Sequence, residues 1–572
     1  MSDAPDEAER SQQANMFDDK PTFPWQTTLT SLTDTVKLVM PPNQIVPIIF
    51  VPGIMGSNLQ GKDGKPVWLL NKTMGAPPGL AAMWARKGPG PRQKILHPLR
   101  TSVYSGGNVP SEIGGTVFQQ KEYSARGWGE VGETSYHGFL LWIEKMLNGQ
   151  SLNPADWPDF SYTSVSATPA PGQSAPAKKL FPRIVMAMNG LPAVAEVGDR
   201  TEEVMLDDLL KRAKCRFPVY ACGYNWLQSN KDAAALLAAR IKNINSQHNK
   251  GIFHCQQVIL VTHSMGGLVA RACTMLDGMS ESIVGIVHGV MPATGAAVAY
   301  RRCKLGMHDE DIKSSLVIGS NGQEVTAVFA QAPGALQLLP SENYRREWLV
   351  IKDEKGKVLE SLPKADPYTE IYLRKDRGWG LVEEKWLSPK EGTPIEWDEF
   401  ETNIELARSF HRRIAGTYHK NTFVFYGAGT GEQASFETVQ WQIVAGLAPK
   451  TGSRPALADV MQKEHKEVRE SGRNPIYVGG KTEYVTSMGG MGATTSSYET
   501  SFWEIRCGRQ DGAGDGTVPA SSGAAPRAGG GIHTRQQFGL TGFSHEPAYQ
   551  DAVVQKVTHY AITKLAPLAR MA

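Results

Sequence analysis

The stretch Val258-Ile259-Leu260-Val261-Thr262-His263-Ser264-Met265-Gly266-Gly267-Leu268-Val269-Ala270 decides how this chain is read. A β-branched apolar run stops at a serine, two glycines follow, and a helix-compatible pattern takes over. That is a strand, a sharp turn and a helix, with Ser264 at the turn. In such a nucleophile elbow the serine holds a strained backbone conformation. A bulky side chain two residues to either side would strike the adjoining strand or helix. Gly266 meets that demand. Thr262 stands where the usual G-x-S-x-G pattern has its first glycine, and as a small residue it is expected to be tolerated.

A serine nucleophile needs a base, and the base needs an orienting acid. Behind an elbow of this kind they come later in the chain, in the order serine, acid, histidine. Gly514-Asp515-Gly516-Thr517-Val518-Pro519 follows the apolar segment Ser501–Cys507, which reads as a strand. An aspartate in a glycine turn there can point back across the end of a sheet. About thirty residues on, Gly542-Phe543-Ser544-His545-Glu546-Pro547 forms a loop before a helical region from Ala548 to Ala561. Each feature has an ordinary explanation: an Asp-Gly turn, a solvated cap histidine, a plain strand-to-helix turn. Asp511 is a rival acid, and His533, beside a glycine-rich loop, is a rival base. His263 is too close to Ser264 along the backbone to act as one. Order and element placement together favour Ser264, Asp515 and His545 as nucleophile, acid and base.

The remaining requirement is an oxyanion hole. Gln44 to Val51 reads as an early core strand running into the turn Pro52-Gly53-Ile54-Met55-Gly56-Ser57. The donors expected in this arrangement are the N–H after the nucleophile and one from an early strand–helix loop. Those are Met265 and either Ile54 or Met55. Gly53 and Gly56 would let the backbone come close to a substrate.

Alternation of strand and helix continues around these landmarks. Phe217–Tyr220 and Ile283–Val290 read as buried strands, and Asp232–Ile244 carries a helical apolar face. This predicts an α/β-hydrolase fold, a mostly parallel sheet covered by helices on both faces. Residues 1–40 read as a polar arm and 41–572 as one catalytic domain. Insertions fall at about 60–205, 295–420 and 431–500. The first contains a low-complexity stretch at 163–178. The third contains Ser487-Met488-Gly489-Gly490-Met491-Gly492, which cannot hold a fixed shape cheaply. The second and third are candidate caps or lids.

With these residues in hand, a resemblance can be stated. Val51-Pro52-Gly53-Ile54-Met55-Gly56-Ser57-Asn58-Leu59 resembles the P-G-x-x-G-S-x-L opening of the lecithin:cholesterol acyltransferase family. Tyr224-Asn225-Trp226 resembles its Y-D-W, with Asn in place of Asp. Phe423 to Thr430 resembles its late Y-G-x-G strand end, and Asp515 to Pro519 its D-G-T-V-P loop. Met291-Pro292-Ala293-Thr294-Gly295-Ala296 and Pro333 to Ser341 look like the type VI secretion lipase effectors, relatives of the GPI inositol-deacylase-like hydrolases. The resemblance implies an antibacterial lipase acting on membrane phospholipid, an immunity protein as partner, a secretion-machine component, and delivery into a target-cell periplasm.

The rest of the chain is compatible. Its 572 residues, 41% hydrophobic content and net charge of +3 fit a globular protein with ample core and give no case for nucleic acid. No apolar run is long enough for a membrane helix. Met1 to Lys20 lacks the pattern of a signal peptide, so cytoplasmic synthesis is expected. The six cysteines show no C-x-x-C spacing, and no disulfide, metal or cofactor is expected. Three functions remain open from the residues alone: a serine esterase or lipase, an acyltransferase with the same triad, and a non-catalytic binding protein on a hydrolase scaffold.

Overall fold

A computed structural model describes residues 42–571 apart from 71–83, 85–86, 111–119, 149–203, 205, 309, 311–318, 447–455, 458–459, 461–467, 470–471, 480, 490–491 and 529–533, together with short strands between residues 10 and 39. The low-complexity stretch at 163–178 and His533 lie outside the described residues.

The central sheet has six strands: β1 (Ile48–Val51), β2 (Val219–Ala221), β3 (Val258–His263), β4 (Ile283–Gly289), β5 (Thr422–Gly427) and β6 (Thr534–Leu540). Their order across the sheet is β2-β1-β3-β4-β5-β6, and every neighbouring pair is parallel. Parallel strands of this kind are buried on both faces and therefore read as continuous apolar runs. In β3, Val258 and Leu260 join one core cluster while Ile259 and Val261 join the other. Helices α1 (Gly138–Asn148) and α5 (Ala552–Leu565) contribute to the second cluster. Helices α2 (Asn230–His248), α3 (Gly266–Thr274) and α4 (Trp397–Ile414) contribute to the first. In α4 the residues Phe400, Ile404, Ala407, Phe410 and Ile414 recur at helical spacing and all enter that core. The stretch read as the second insertion, about 295–420, thus includes a helix that packs into the same core cluster as α2 and α3.

Strands from the two later insertions pair with each other. Segments Val358–Leu362, Leu349–Lys352, Val439–Ala445, Trp503–Cys507, Ile476–Val478 and Val468–Arg469 line up, in that order, as one outer sheet. The strand Trp503–Cys507, within the apolar segment read as leading to the acid loop, belongs to this outer sheet. Leu349, Ile351, Val439, Trp441, Ile443 and Ile505 belong to the same core cluster as α2 and α3. The outer sheet is thus fused to the domain through a shared apolar interior. The residues flanking the glycine-rich segment of the third insertion form strands. Lys481–Gly489 and Gly492–Thr500 pair as an antiparallel hairpin, since the alternating Thr, Tyr, Val and Ser residues favour strand on either side of the glycines. In the N-terminal arm, Arg10–Gln13 pairs with Val36–Val39.

Candidate active site

The elbow forms at the carboxyl end of β3. Thr262 pairs with Val51 on one side and His288 on the other. Ser264 then turns with φ 52°, in the left-handed region, an arrangement that costs free energy for a non-glycine residue and is characteristic of functional sites. Ser264 N–H donates to Gly289 O at 2.9 Å, which ties the turn to β4. A Cβ on Gly266 would lie 2.3 Å from Val51 O and 2.6 Å from Pro52 O. Only glycine permits that approach of α3 to β1. Thr262 fits because its hydroxyl meets His288 Nδ1 at 3.0 Å in a fully buried pocket. Its carbonyl accepts from Tyr549 Oη at 2.9 Å.

The structure brings the three expected side chains together. Ser264 Oγ is 2.9 Å from His545 Nε2, and His545 Nδ1 is 2.8 Å from Asp515 Oδ2. The other carboxylate oxygen accepts from Thr517 N–H at 3.1 Å and Val518 N–H at 2.8 Å. Asp515 is 1% exposed, and with one oxygen held by amides its other oxygen has a single direction to face. His545 N–H also donates to Asp515 O at 2.9 Å, so the base and acid loops are joined through their main chains.

The acid loop is seated by the Y-G-x-G segment. Gly429 and Gly514 exchange backbone hydrogen bonds at 2.9 and 2.8 Å. A Cβ on Gly427 would meet Asp515 Cβ at 2.5 Å. Ser435, which had no sequence signal, accepts from Asp515 N–H at 3.2 Å and donates to Val518 O at 3.1 Å. Asp511 faces elsewhere. It accepts from Glu437 N–H at 3.0 Å, Thr438 N–H at 2.9 Å, the Thr438 hydroxyl, and Gln440 Nε2 at 3.0 Å.

The expected oxyanion segment lies against the elbow. Gly56 N–H donates to Gly53 O at 3.1 Å, closing a turn with Ile54 and Met55 at its centre, and Met55 has φ 63°. Trp68 Nε1 donates to Met55 O at 2.8 Å and Tyr224 Oη to Pro52 O at 2.9 Å, which fix the turn from outside. Met265 lies at the N-terminus of α3 and is fully buried. Asn225, next to Tyr224, is held elsewhere: its Nδ2 donates to Thr101 O at 3.0 Å and its Oδ1 accepts from Leu227 N–H at 3.2 Å. An aspartate could not make the first contact, so the departure from Y-D-W suits the partner that Asn225 meets in the fold.

Neither ring nitrogen of His263 faces Ser264. Its Nε2 faces His545 O at 2.9 Å and its Nδ1 faces Tyr136 Oη at 3.1 Å. Burial, then repulsion from His545, pushes its pKa down to about 3. All six cysteines are free thiols, and Cys255 and Cys273 are buried. Among the described residues no group of three His, Cys, Asp or Glu side chains could hold a metal ion, and no helix is long and apolar enough to cross a membrane. A groove of about 610 Å³ lined by Pro91, Lys94, Ile95, Glu391 and Gly392 includes none of the residues above.

Comparison with known proteins gives the class first. Residues 227–310, which span the elbow and β4, match the PGAP1-like alpha/beta domain, and the chain as a whole has the α/β-hydrolase fold. More particularly, it is similar to a chain of the solved Tle4–Tli4 complex, at 28% identity and a TM-score of 0.67, over 92% of this chain and 99% of that one. No curated protein sequence matches. Both findings agree with the likeness drawn from the sequence, a PGAP1-like hydrolase akin to the type VI lipase effectors.

Proposed function

We propose that this protein is a serine lipase of phospholipase A type, hydrolysing carboxylic esters of membrane phospholipids. The observation that carries the reading is the continuous hydrogen-bonded line from Ser264 Oγ through His545 to Asp515 at the carboxyl edge of the parallel sheet. Ser264 Oγ attacks the acyl carbonyl while His545 Nε2 takes its proton. His545 then protonates the leaving alcohol, and water completes deacylation by the same route in reverse. Asp515 holds Nδ1–H, fixes the tautomer and stabilises the imidazolium. The amides of Met265 and of Ile54 or Met55 receive the developing oxyanion. Apart from the water consumed in deacylation, the proton transfers and charge stabilisation use groups of the chain itself.

The similarity to the Tle4–Tli4 complex supports a further part of the reading. The enzyme acts as an antibacterial type VI effector, handed to the secretion machine and delivered to a neighbour's periplasm. The producer holds a cognate immunity protein that binds near the active-site mouth. Liposomes of defined phospholipid, incubated with wild type and Ser264→Ala, test the chemistry. Free fatty acid from wild type alone supports hydrolysis. A new ester in place of free acid would make it an acyltransferase, and no acyl release with either would point to a binding protein. Expression with an added periplasmic signal tests the setting. Toxicity there, lost in Ser264→Ala and relieved by a co-expressed partner, supports it. Equal harmlessness of wild type and mutant, both well expressed, would favour an ordinary intracellular esterase.

A further inference from the structure

Tyr136 and His263, 3% and 4% exposed, stand at the active centre without a part in the proton transfers. They lie on one line of hydrogen bonds. Gly53 N–H, at the start of the oxyanion turn, donates to Tyr136 Oη at 3.3 Å. Tyr136 Oη is 3.1 Å from His263 Nδ1, and His263 Nε2 is 2.9 Å from the main-chain oxygen of His545. A carbonyl only accepts, so Nε2 carries the proton. In the neutral ring Nδ1 is then an acceptor, and Tyr136 must donate to it. Every direction in the line follows from its two ends. The ring stays neutral while His545 beside it gains and loses a proton, because burial opposes a second charge there.

Packing fixes the same parts. A Cβ on Gly53 would lie 2.8 Å from His263 Nδ1, and one on Gly56 would lie 2.5 Å from Tyr136 Oη. The oxyanion turn is therefore moulded directly onto these two side chains. Tyr136 sits on the π-helical turn Glu133–His137, which is also locked to the base loop. Ser135 Oγ donates to the Glu546 carboxylate, and Gln550 Nε2 donates to Thr134 O at 3.2 Å.

Resting on the reading of Ser264, His545 and Asp515 above, we propose that Tyr136 and His263 are positioning residues that join the oxyanion turn to the main chain of His545. They set the imidazole against Ser264 Oγ and hold the oxyanion donors in the same frame, so that base and oxyanion hole keep one spacing. A displacement of about 1 Å in such a frame can cost about 100-fold in rate.

The test uses the full chain and the variants Tyr136→Phe, His263→Phe and His263→Gln. Labelling by a fluorophosphonate gives a rate and an endpoint, and turnover of a soluble p-nitrophenyl ester gives kcat and KM. Tyr136→Phe and His263→Phe are expected to lower the labelling rate and kcat about 10- to 100-fold, with KM changing far less and the endpoint staying near one label per chain. His263→Gln, whose amide N–H can still reach the His545 carbonyl, is expected to recover part of the loss. A role in folding alone would lower the endpoint and leave the rate per labelled chain unchanged, and that result overturns the proposal. Wild-type rates in Tyr136→Phe and His263→Phe overturn it too. Should His263→Phe fail to accumulate, Tyr136→Phe, which lacks only a hydroxyl, decides. Ser264→Ala run alongside separates the two levels. Labelling that persists there removes the nucleophile assignment itself, whereas labelling lost there with normal rates in the other variants removes only the positioning role.

Discussion

The two sheets of this molecule are covered differently. Every residue of β3 is buried, whereas Val439–Ala445 in the outer sheet buries Val439, Trp441 and Ile443 and turns the alternate residues outward. The central sheet lies between two core clusters and ends in the elbow and the base and acid loops. The outer sheet packs one face on the first of those clusters. They meet in the segment 508–519, where two aspartates four residues apart have opposite allegiances. Asp511 takes four donors around outer-sheet residues 437–440. Asp515 is held beside the end of β5 and faces His545. Neighbours in sequence thus serve, respectively, a scaffold and the proposed reaction centre, and the difference lies in what each carboxylate is docked against.

The largest expected effect sits at the central edge. Ser264→Ala should lower ester hydrolysis by about 10⁶-fold, the scale found for nucleophile loss in comparable triads, with the thermal midpoint within a few degrees of wild type. Turnover near wild type in that variant would break the comparison at its root. His545→Ala is expected to abolish activity as well, while His533→Ala leaves most of it. The reverse pattern would reassign the base.

The paired aspartates sharpen the contrast. Asp515→Asn should cost about 10⁴-fold in kcat by favouring the wrong tautomer of His545, with little change in melting. Asp511→Asn should do the opposite, lowering the melting temperature by a few degrees through weakened bonds to the Glu437 and Thr438 amides, with activity per folded molecule retained. Steady-state kinetics and calorimetry on the same two preparations would decide. Equal kinetic damage from both would mean that the outer sheet also sets the acid.

The smallest effect concerns pH. His263 and His288, on β3 and β4, have pKa values pushed from 6.5 down to about 3, chiefly by burial. Strands of the outer sheet carry no histidine. Between those limits the unfolded chain binds protons that the folded chain does not, so stability rises with pH across this window. It is fully present above about 6.5 and lost as pH falls toward 3. At pH 5 each of these histidines should account for about 2 kcal/mol of lost stability. Calorimetry from pH 7.5 to 5 should show a falling midpoint, and a flat one would mean that these rings are protonated in the folded protein without penalty.

What the sequence determined by itself was local or steric. The apolar run before Ser264 and the glycine at 266 imply a strand and an elbow because few other backbones suit them, and the order of Ser264, Asp515 and His545 follows the wiring of the fold. Asn225 in place of aspartate was visible in sequence, but its cause is a distant carbonyl at Thr101. The outer sheet was not legible, since its strands come from two insertions and the segment before the acid loop, which pair only when folded. The hairpin at 481–500 was hidden by its glycines. Tyr136 carries no motif and lies 127 residues from His263, and the contact between His263 and the His545 carbonyl spans 282 residues. Such pairings have no periodicity or spacing to betray them. They exist because burial leaves each polar atom needing a partner, and only the assembled structure decides which partner comes within reach.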